Sequence, residues 1–445
     1  MNQKKQNKNK LLLSLVFFPA VFLFGIFSFV IGPNIFSVEY DSQNNNLASV
    51  ISTDQSDDEF VLNKNSDTEF KKEIQQIKYI KTPDIVRSIY MTACVASTPS
   101  FRKNLIDLIA QTEINSIVID IKDFSGTISF YTENEKLLGV SGTGCRTRDM
   151  ADLVKIFHDM DVYVIGRITV FQDPFYTSIR PDLAVKKKSD GSVWKDFKGI
   201  SFIDVSVKEY WDYILELTFE SHKKIGFDEI NFDYVRFPSD GNMKDIHFPF
   251  SDKIISQNEK DGKSIALENF FKYLYEKISD YNQNILKENK KHNTQIAPLV
   301  TSVDLFGMTT TTKDDLNIGQ ILEKALPYFD YVAPMVYPSH YPPHFNGWAD
   351  PNKYPYELIH FVMGSAIERI NEFKNNLEIS EEIRNRVSVK QLRTWIQDFN
   401  YGGTYGPKEV RAQIDASVDV GVPDFMIWSP SNRYTKDALK SKEVH

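Results

Sequence analysis

The chain is poor in cysteine: two among 445 residues, Cys94 and Cys145, with no CxxC and no histidine pattern beside either. A zinc site is therefore not suggested. In an oxidising compartment the two thiols can pair, and the alternative is a pair of free buried thiols. No block of basic residues breaks a net charge of -8, which argues against nucleic acid as the main partner. No GxGxxG follows the first predicted strand, so a dinucleotide fingerprint is missing. No GxSxG elbow occurs, which leaves Ser-His-Asp catalysis without its usual frame. His340 and His344 are four apart, but Pro342 and Pro343 lie between them. They cannot share a helix face as zincin histidines do, so a metal-dependent deacetylase would lack its ligands. No internal repeat at solenoid period is seen.

What is present begins with Lys4, Lys5, Lys8 and Lys10, without an acid among residues 1–10. Leu11 to Ile31 then run 21 residues without a charge. That is long enough to cross a bilayer, and the flanking lysines would keep the first ten residues in the cytoplasm. The expectation is a single-pass signal anchor over 11–31 in the cell membrane, with the rest of the chain extracytoplasmic. A cleaved signal peptide is the rival, but no clear small-x-small site follows. Residues 32–84 turn to Asn, Ser, Asp, Gln and Lys, a composition that cannot bury enough apolar surface to order itself. They read as a disordered linker, with room for a short helix near Phe70 to Ile80.

From residue 85 to 445 strand and helix patterns alternate. Expected strands are Ser88–Val95, Ser116–Ile121, Val162–Val170, Glu229–Tyr234, Gln295–Ser302, Tyr331–Val336, Arg393–Phe399 and Phe425–Trp428. Between them lie apolar stripes at helical spacing, such as Leu267, Phe270, Phe271, Leu274 and Ile278, or Val410, Ile414 and Val418 closed by Gly421. Eight strands with intervening helices predict an α/β fold, a (β/α)8 TIM barrel with enlarged βα loops. A doubly wound open sheet is the runner-up.

Gly226–Pro238 organises this reading. It opens with a glycine, alternates strictly, and ends in Pro-Ser-Asp-Gly turn residues. On a strand Glu229, Asn231 and Asp233 share one face while Ile230, Phe232 and Tyr234 share the other. In a sheet covered on both sides a buried polar row is costly unless paired or used. The last inward residue of a barrel strand points into the active site, and here that residue is Asp233. Glu229, at the opposite end, reads better as half of a structural ion pair.

Other strand ends carry similar chemistry: Asp120, Lys122 and Asp123; Arg167 and Asp173; Arg236; Asp304; Tyr337 and His340; Gln397 and Asp398; Trp428. Acids, amides, arginines and aromatics at one rim suit glycoside hydrolysis, where one carboxylic acid protonates the leaving oxygen and a second carboxylate attacks or activates water. Aromatic faces would stack on sugar rings, and no metal or cofactor is required. Plainer readings stand beside these. Asp233 can pair with Arg236 or Arg167, and Asp120 with Lys122. Asp123 can make an Asp-Phe-Ser-Gly turn, Asp304 and Asp398 can be loop scaffolding, and Trp395 and Trp428 can be core.

The same segment, Gly226–Pro238, closely resembles the signature of a bacterial family of glycosyl hydrolase domains, long carried as a domain of unknown function. Further blocks are similar and in order: Val118–Asp123 with Gly126, Arg167–Pro174, Arg180–Ala184, Trp194–Asp196, Ser302–Gly307, Ile318–Gln320, Pro334–Tyr341, Trp395–Phe399 and Trp428. The resemblance runs from about Ile89 to Ala438. It implies a TIM barrel related to α-amylase-like and other retaining glycosidase barrels, with Asp233 as the key acid at the end of strand four. By the same analogy the second acid comes from strand five, which offers Asp304 where a glutamate is expected. Asp120 and Asp398 are alternatives. Strand seven reads Arg393-Thr394-Trp395 where Arg-Pro-Trp is expected. The expected function is a membrane-anchored glycoside hydrolase acting on a polysaccharide or cell-surface glycan. Asp233 and Asp304 would be catalytic, and Asp120, Lys122, Asp123, Arg167, Asp173, Asn231, Arg236, Tyr337, His340, Gln397, Asp398 and Trp428 would line the substrate. The alternative is a non-catalytic carbohydrate- or cell-wall-binding barrel.

Overall fold

The structure, a computed structural model, describes residues 77–138 and 142–442. Eight parallel strands close into a barrel: β1 (Arg87–Met91), β2 (Ser116–Lys122), β3 (Tyr163–Thr169), β4 (Glu229–Asp233), β5 (Val300–Phe306), β6 (Tyr331–Met335), β7 (Thr394–Gln397) and β8 (Phe425–Trp428). Each strand pairs with its sequence neighbour among these eight, and β8 returns to β1. Parallel neighbours need a crossover, and helices supply most of them: α1 (Pro99–Gln111), α2 (Met150–Asp159), α3 (Lys208–Glu220), α4 (Gly262–His292), α5 (Pro355–Asn375) and α6 (Pro407–Asp419). The apolar stripes of these helices cover the outside of the sheet, so Leu267, Phe270, Phe271 and Leu274 of α4 join one large core with Ile230 and Phe232. A smaller cluster fills the lumen: Tyr90, Val118, Tyr163, Ile165, Ala333, Tyr337, Trp395 and Met426. The expected TIM barrel is present.

Local sequence explains where two strands depart from expectation. The chain leaves β1 at Met91 because Thr92 caps a short helix, Ala93–Ala96, with its side chain accepting from Val95 N. Strand β5 starts at Val300, not Gln295, and runs on through Asp304 to Phe306. Inside the barrel Ser302 and Asp304 are hydrogen-bonded by Asn231, and Asp304, expected just past the strand, is part of it. Cys94 and Cys145 are joined by a disulfide bond.

The barrel's amino-terminal end is closed by an ion pair. Arg393 Nη1 donates to both oxygens of Glu229, at 2.7 and 2.8 Å, and both residues have no exposed surface. Tyr163 donates to Glu229 Oε2 at 2.9 Å, and the guanidinium lies 3.4 Å from the Tyr331 ring centroid. Glu229 is thus the structural pair its position suggested. Lys78, Tyr79 and Ile80, inside the stretch read as linker, are held at this end. Lys78 Nζ donates to His158 O, Tyr79 Oη to His222 O, and Ile80 N to Asp228 Oδ1. Ile77–Ile80 is not helical.

The membrane anchor requires correction. Among the described residues no helix is long and apolar enough to cross a membrane. The single-pass topology, the membrane as partner and the membrane location expected from Leu11–Ile31 are therefore withdrawn. That run, like the tail before it and the linker up to Gln76, lies outside the described residues.

Candidate active site

Register places the site. On β2 and β3 Asp120 stands opposite Arg167, on β3 and β4 Thr169 stands opposite Asp233, and on β4 and β5 Asn231 faces Ser302. Continuing that last pairing by two residues sets Asp304 beside Asp233, with their strands about 4.8 Å apart. The side chains of Asp120, Arg167, Asp233 and Asp304 gather inside the barrel at its carboxyl end, and none of these residues is more than 5% exposed.

Arg167 is the hub. Its Nε and Nη2 donate to Asp233 Oδ2 at 3.0 and 2.6 Å, while Nη1 donates to Asp120 Oδ1 at 2.6 Å. Burial opposes the guanidinium's charge, but Asp233 and Asp120 more than offset this and push its proton affinity further up. The guanidinium also lies over aromatic rings, 5.3 Å from the centroid of Trp428 and 5.7 Å from that of Tyr90. Those two rings stack 4.1 Å apart. Such cation–π contact suits a cation removed from water.

The three carboxyls sit in different environments. Asp233 Oδ1 accepts the amide of Tyr234 at 2.5 Å. Tyr234 has φ 52°, a left-handed conformation that costs a bulky residue on the order of 1–3 kcal/mol. Asp304 Oδ1 accepts from Asn231 Nδ2 at 2.9 Å and from Trp395 Nε1 at 2.8 Å. Burial, and then the neighbouring Asp233, nevertheless push the Asp304 carboxyl well above the usual range. Burial also lifts Asp120 to about 6, against the pull of Arg167 and of the Tyr90 hydroxyl, which donates to Asp120 Oδ2 at 2.5 Å. Two adjacent acids, one tied to an arginine and one favouring its proton, are the combination that acid–base and nucleophilic work require.

The remaining candidates divide. Asn231, Tyr337 and Trp428 belong to this group. Tyr337 is 3% exposed, and burial followed by the charges of Asp304 and Asp233 drives its hydroxyl well up. His340 stands exposed at the rim, its ring 5.0 Å from that of Tyr337. Arg236 turns away from Asp233. Its guanidinium lies 5.1 Å from the Tyr234 ring centroid and donates to Ser239 Oγ at 2.8 Å.

Lys122 is not brought to the group. The β2–β3 register slips between Asp120 and Lys122, and the lysine instead pairs with Asp173 at 2.9 Å, both fully buried. Asp173 is saturated there, accepting also from Tyr210 Oη and capping the helix Pro174–Ile179. Asp123 accepts from Ser125 N and Oγ in a local turn. Gln397 accepts from Ser339 N and Oγ, and Asp398 from Thr435 N and Oγ1, so both tie loops together. Tyr90 escaped the sequence reading, and the hydrogen bond from Trp395 to Asp304 was not foreseen. The inward alternation Ser88-x-Tyr90 was the signal for the first; nothing local announced the second.

Among the described residues no group of three or more His, Cys, Asp or Glu could hold a metal ion. No curated protein matches the sequence. Among solved structures, the glycoside hydrolase domain of PgaB (BpsB) from Bordetella bronchiseptica covers 81% of this chain and 100% of its own, with TM-score 0.52 and 14% identity. At that identity the likeness is one of fold. A hypothetical protein from Ruminiclostridium thermocellum is 27% identical over 48% of this chain and 96% of its own, with TM-score 0.37. Alpha-L-fucosidase isoenzyme 2 from Paenibacillus thiaminolyticus is 12% identical over 80% of this chain and 47% of its own, with TM-score 0.47. The family model described as "Putative glycosyl hydrolase domain" matches residues 88–434, well over half of the chain, and the protein belongs to that family.

Proposed function

We propose that this barrel hydrolyses glycosidic bonds of a polysaccharide, with Asp233 as nucleophile and Asp304 as the acid that protonates the leaving oxygen. The observation that carries the reading is the asymmetry of this pair. Asp233 shares Arg167 and the Tyr234 amide, whereas burial and Asp233 itself drive Asp304 toward its protonated form. Their position on neighbouring strands, about 4.8 Å apart, supports a retaining arrangement, in which the two carboxyls stand about 5–5.5 Å apart, over the wider gap that leaves room for an attacking water. Asp233 would attack the anomeric carbon as Asp304 gives its proton to the departing oxygen. Asp304, then ionised, would take a proton from the water that releases the sugar. Tyr337, Trp428 and His340 are the rim groups available to stack on and hydrogen-bond the sugar.

The test is reducing-end release from a panel of bacterial exopolysaccharides and wall glycans. Asp233→Asn should lose at least 10³-fold in turnover while keeping the wild-type unfolding curve. Wild-type-like turnover by that variant would sink the assignment. One observation favours a second reading, a non-catalytic glycan-binding barrel: Asp233 is held by two donors of one guanidinium and is only 4% exposed. Glycan binding without turnover in the wild-type chain would select it.

A further inference from the structure

One set of buried titratable groups has no part in the two-carboxyl scheme. Tyr90 on β1 donates to Asp120 on β2, and Asp120 in turn accepts Arg167 Nη1 from β3. The same guanidinium spends its Nε and Nη2 on Asp233 of β4. Four consecutive strands of the barrel are thereby joined by one row of hydrogen bonds that ends on the nucleophile.

We propose that Tyr90 and Asp120 are positioning residues that act on Asp233 through Arg167, the protonation of Asp120 setting how much of that one positive charge Asp233 receives. This rests on the assignment of Asp233 as nucleophile. With Asp120 ionised, two carboxylates divide the guanidinium, and Asp233 keeps electron density with which to attack. When Asp120 takes up a proton, Arg167 pairs with Asp233 alone, and the carboxylate becomes a poorer nucleophile. Turnover should therefore rise with pH as Asp120 ionises.

The surroundings of Asp120 support a titration in the working range. Facing it are Tyr90 from β1, Arg167 from β3 and Asp123 from its own loop, with Asp233 and Asp304 beyond the guanidinium. Tyr434 lies behind Tyr90 and donates to its carbonyl. Lys122, two residues along, is turned to Asp173 and pairs there. Burial is the largest influence on Asp120 and places it at about 6, while the Tyr90 hydroxyl, itself pushed well up by burial and then by Asp120, remains a donor throughout. The stacked Tyr90–Trp428 pair, with Arg167 over both rings, gives the row a built-in reporter.

The experiment uses the full chain in four forms: wild type, Tyr90→Phe, Asp120→Asn and Trp428→Phe. Tryptophan fluorescence from pH 4 to 9 should show a transition with its midpoint near 6 in the wild type. It should vanish in Asp120→Asn and in Trp428→Phe. In Tyr90→Phe it should move up by about one pH unit, because the lost hydrogen bond favoured the ionised carboxylate. The acid limb of kcat on the glycan that wild type cleaves should follow the same shift in Tyr90→Phe. In Asp120→Asn that limb should disappear, with kcat low at every pH. A merely structural role would lower kcat without moving the limb. An unmoved limb in Tyr90→Phe, or a fluorescence transition unchanged by Asp120→Asn, overturns the proposal. A wild type that cleaves no glycan defeats the hydrolase reading alone, and the fluorescence arm then decides whether Asp120 is the switch.

Discussion

Replacing Arg167 by Gln removes the single cation between Asp120 and Asp233 and leaves both carboxyls in place, 2% and 4% exposed. Breaking a buried charge pair from one side costs about 3–5 kcal/mol, because the remaining charge stays out of water without compensation. That is a large part of a typical folding stability of about 5–15 kcal/mol, yet it leaves a measurable folded state. The loss should depend on pH in a definite direction. Without Arg167 the folded state holds a proton on Asp120 more tightly than the unfolded chain does. A carboxyl raised in this way contributes stability below its unfolded value and loses it as pH rises through its folded one. Asp120 already stands at about 6 with the arginine present, so the variant's loss relative to wild type opens there and grows upward. Urea unfolding at pH 5 and pH 8 should show the full deficit at pH 8 and a smaller one at pH 5. Adding Asp120→Asn to Arg167→Gln should recover part of it at pH 8. A deficit under about 1 kcal/mol at pH 8, or one that grows toward acid, would refute the view that Arg167 neutralises two ionised carboxyls.

Two further outcomes concern parts of the barrel remote from the reacting carboxyls. Glu229→Gln should cost about 3–5 kcal/mol by stranding Arg393, while kcat on any glycan cleaved stays within a few-fold of wild type at temperatures where both are folded; a loss of kcat with unchanged stability would contradict a structural role. Replacing Cys94 and Cys145 by Ser should lower stability by about 4 kcal/mol, the chain-entropy expectation for a loop of this length. A melting temperature unaffected by the double substitution would show that the β1–β2 side of the barrel is held by packing alone.

Much of the architecture was legible because periodicity is a local property. The alternation Glu229-x-Asn231-x-Asp233 marks a strand with a polar inner row, and stripes such as Leu267, Phe270, Phe271 and Leu274 mark helices that cover it. Their repetition along the chain implies a closed parallel barrel, with Glu229 and Asp233 at its opposite ends. The aligned blocks from Ile89 to Ala438 point to the family for the same reason: each is a short run whose residues can be read without their partners.

Partnership is decided by the fold. Asp233 had Arg167 and Arg236 as available cations, 66 and 3 residues away. The distant one holds it, because β3 lies beside β4 while Arg236 is past the strand end and folds back over Tyr234. Lys122 is two residues from Asp120, yet a slip in the β2–β3 register sends it to Asp173 and leaves Asp120 to Tyr90 and Arg167. Trp395 meets Asp304 across 91 residues. A charge state depends on which groups exclude water and which charges lie within a few ångströms, and those groups come from different strands. The sequence by itself determined the inward row Glu229, Asn231 and Asp233; the closing of β1 through β8 decided which carboxyls are bound to a cation, which are pushed toward their protonated form, and which are only structure.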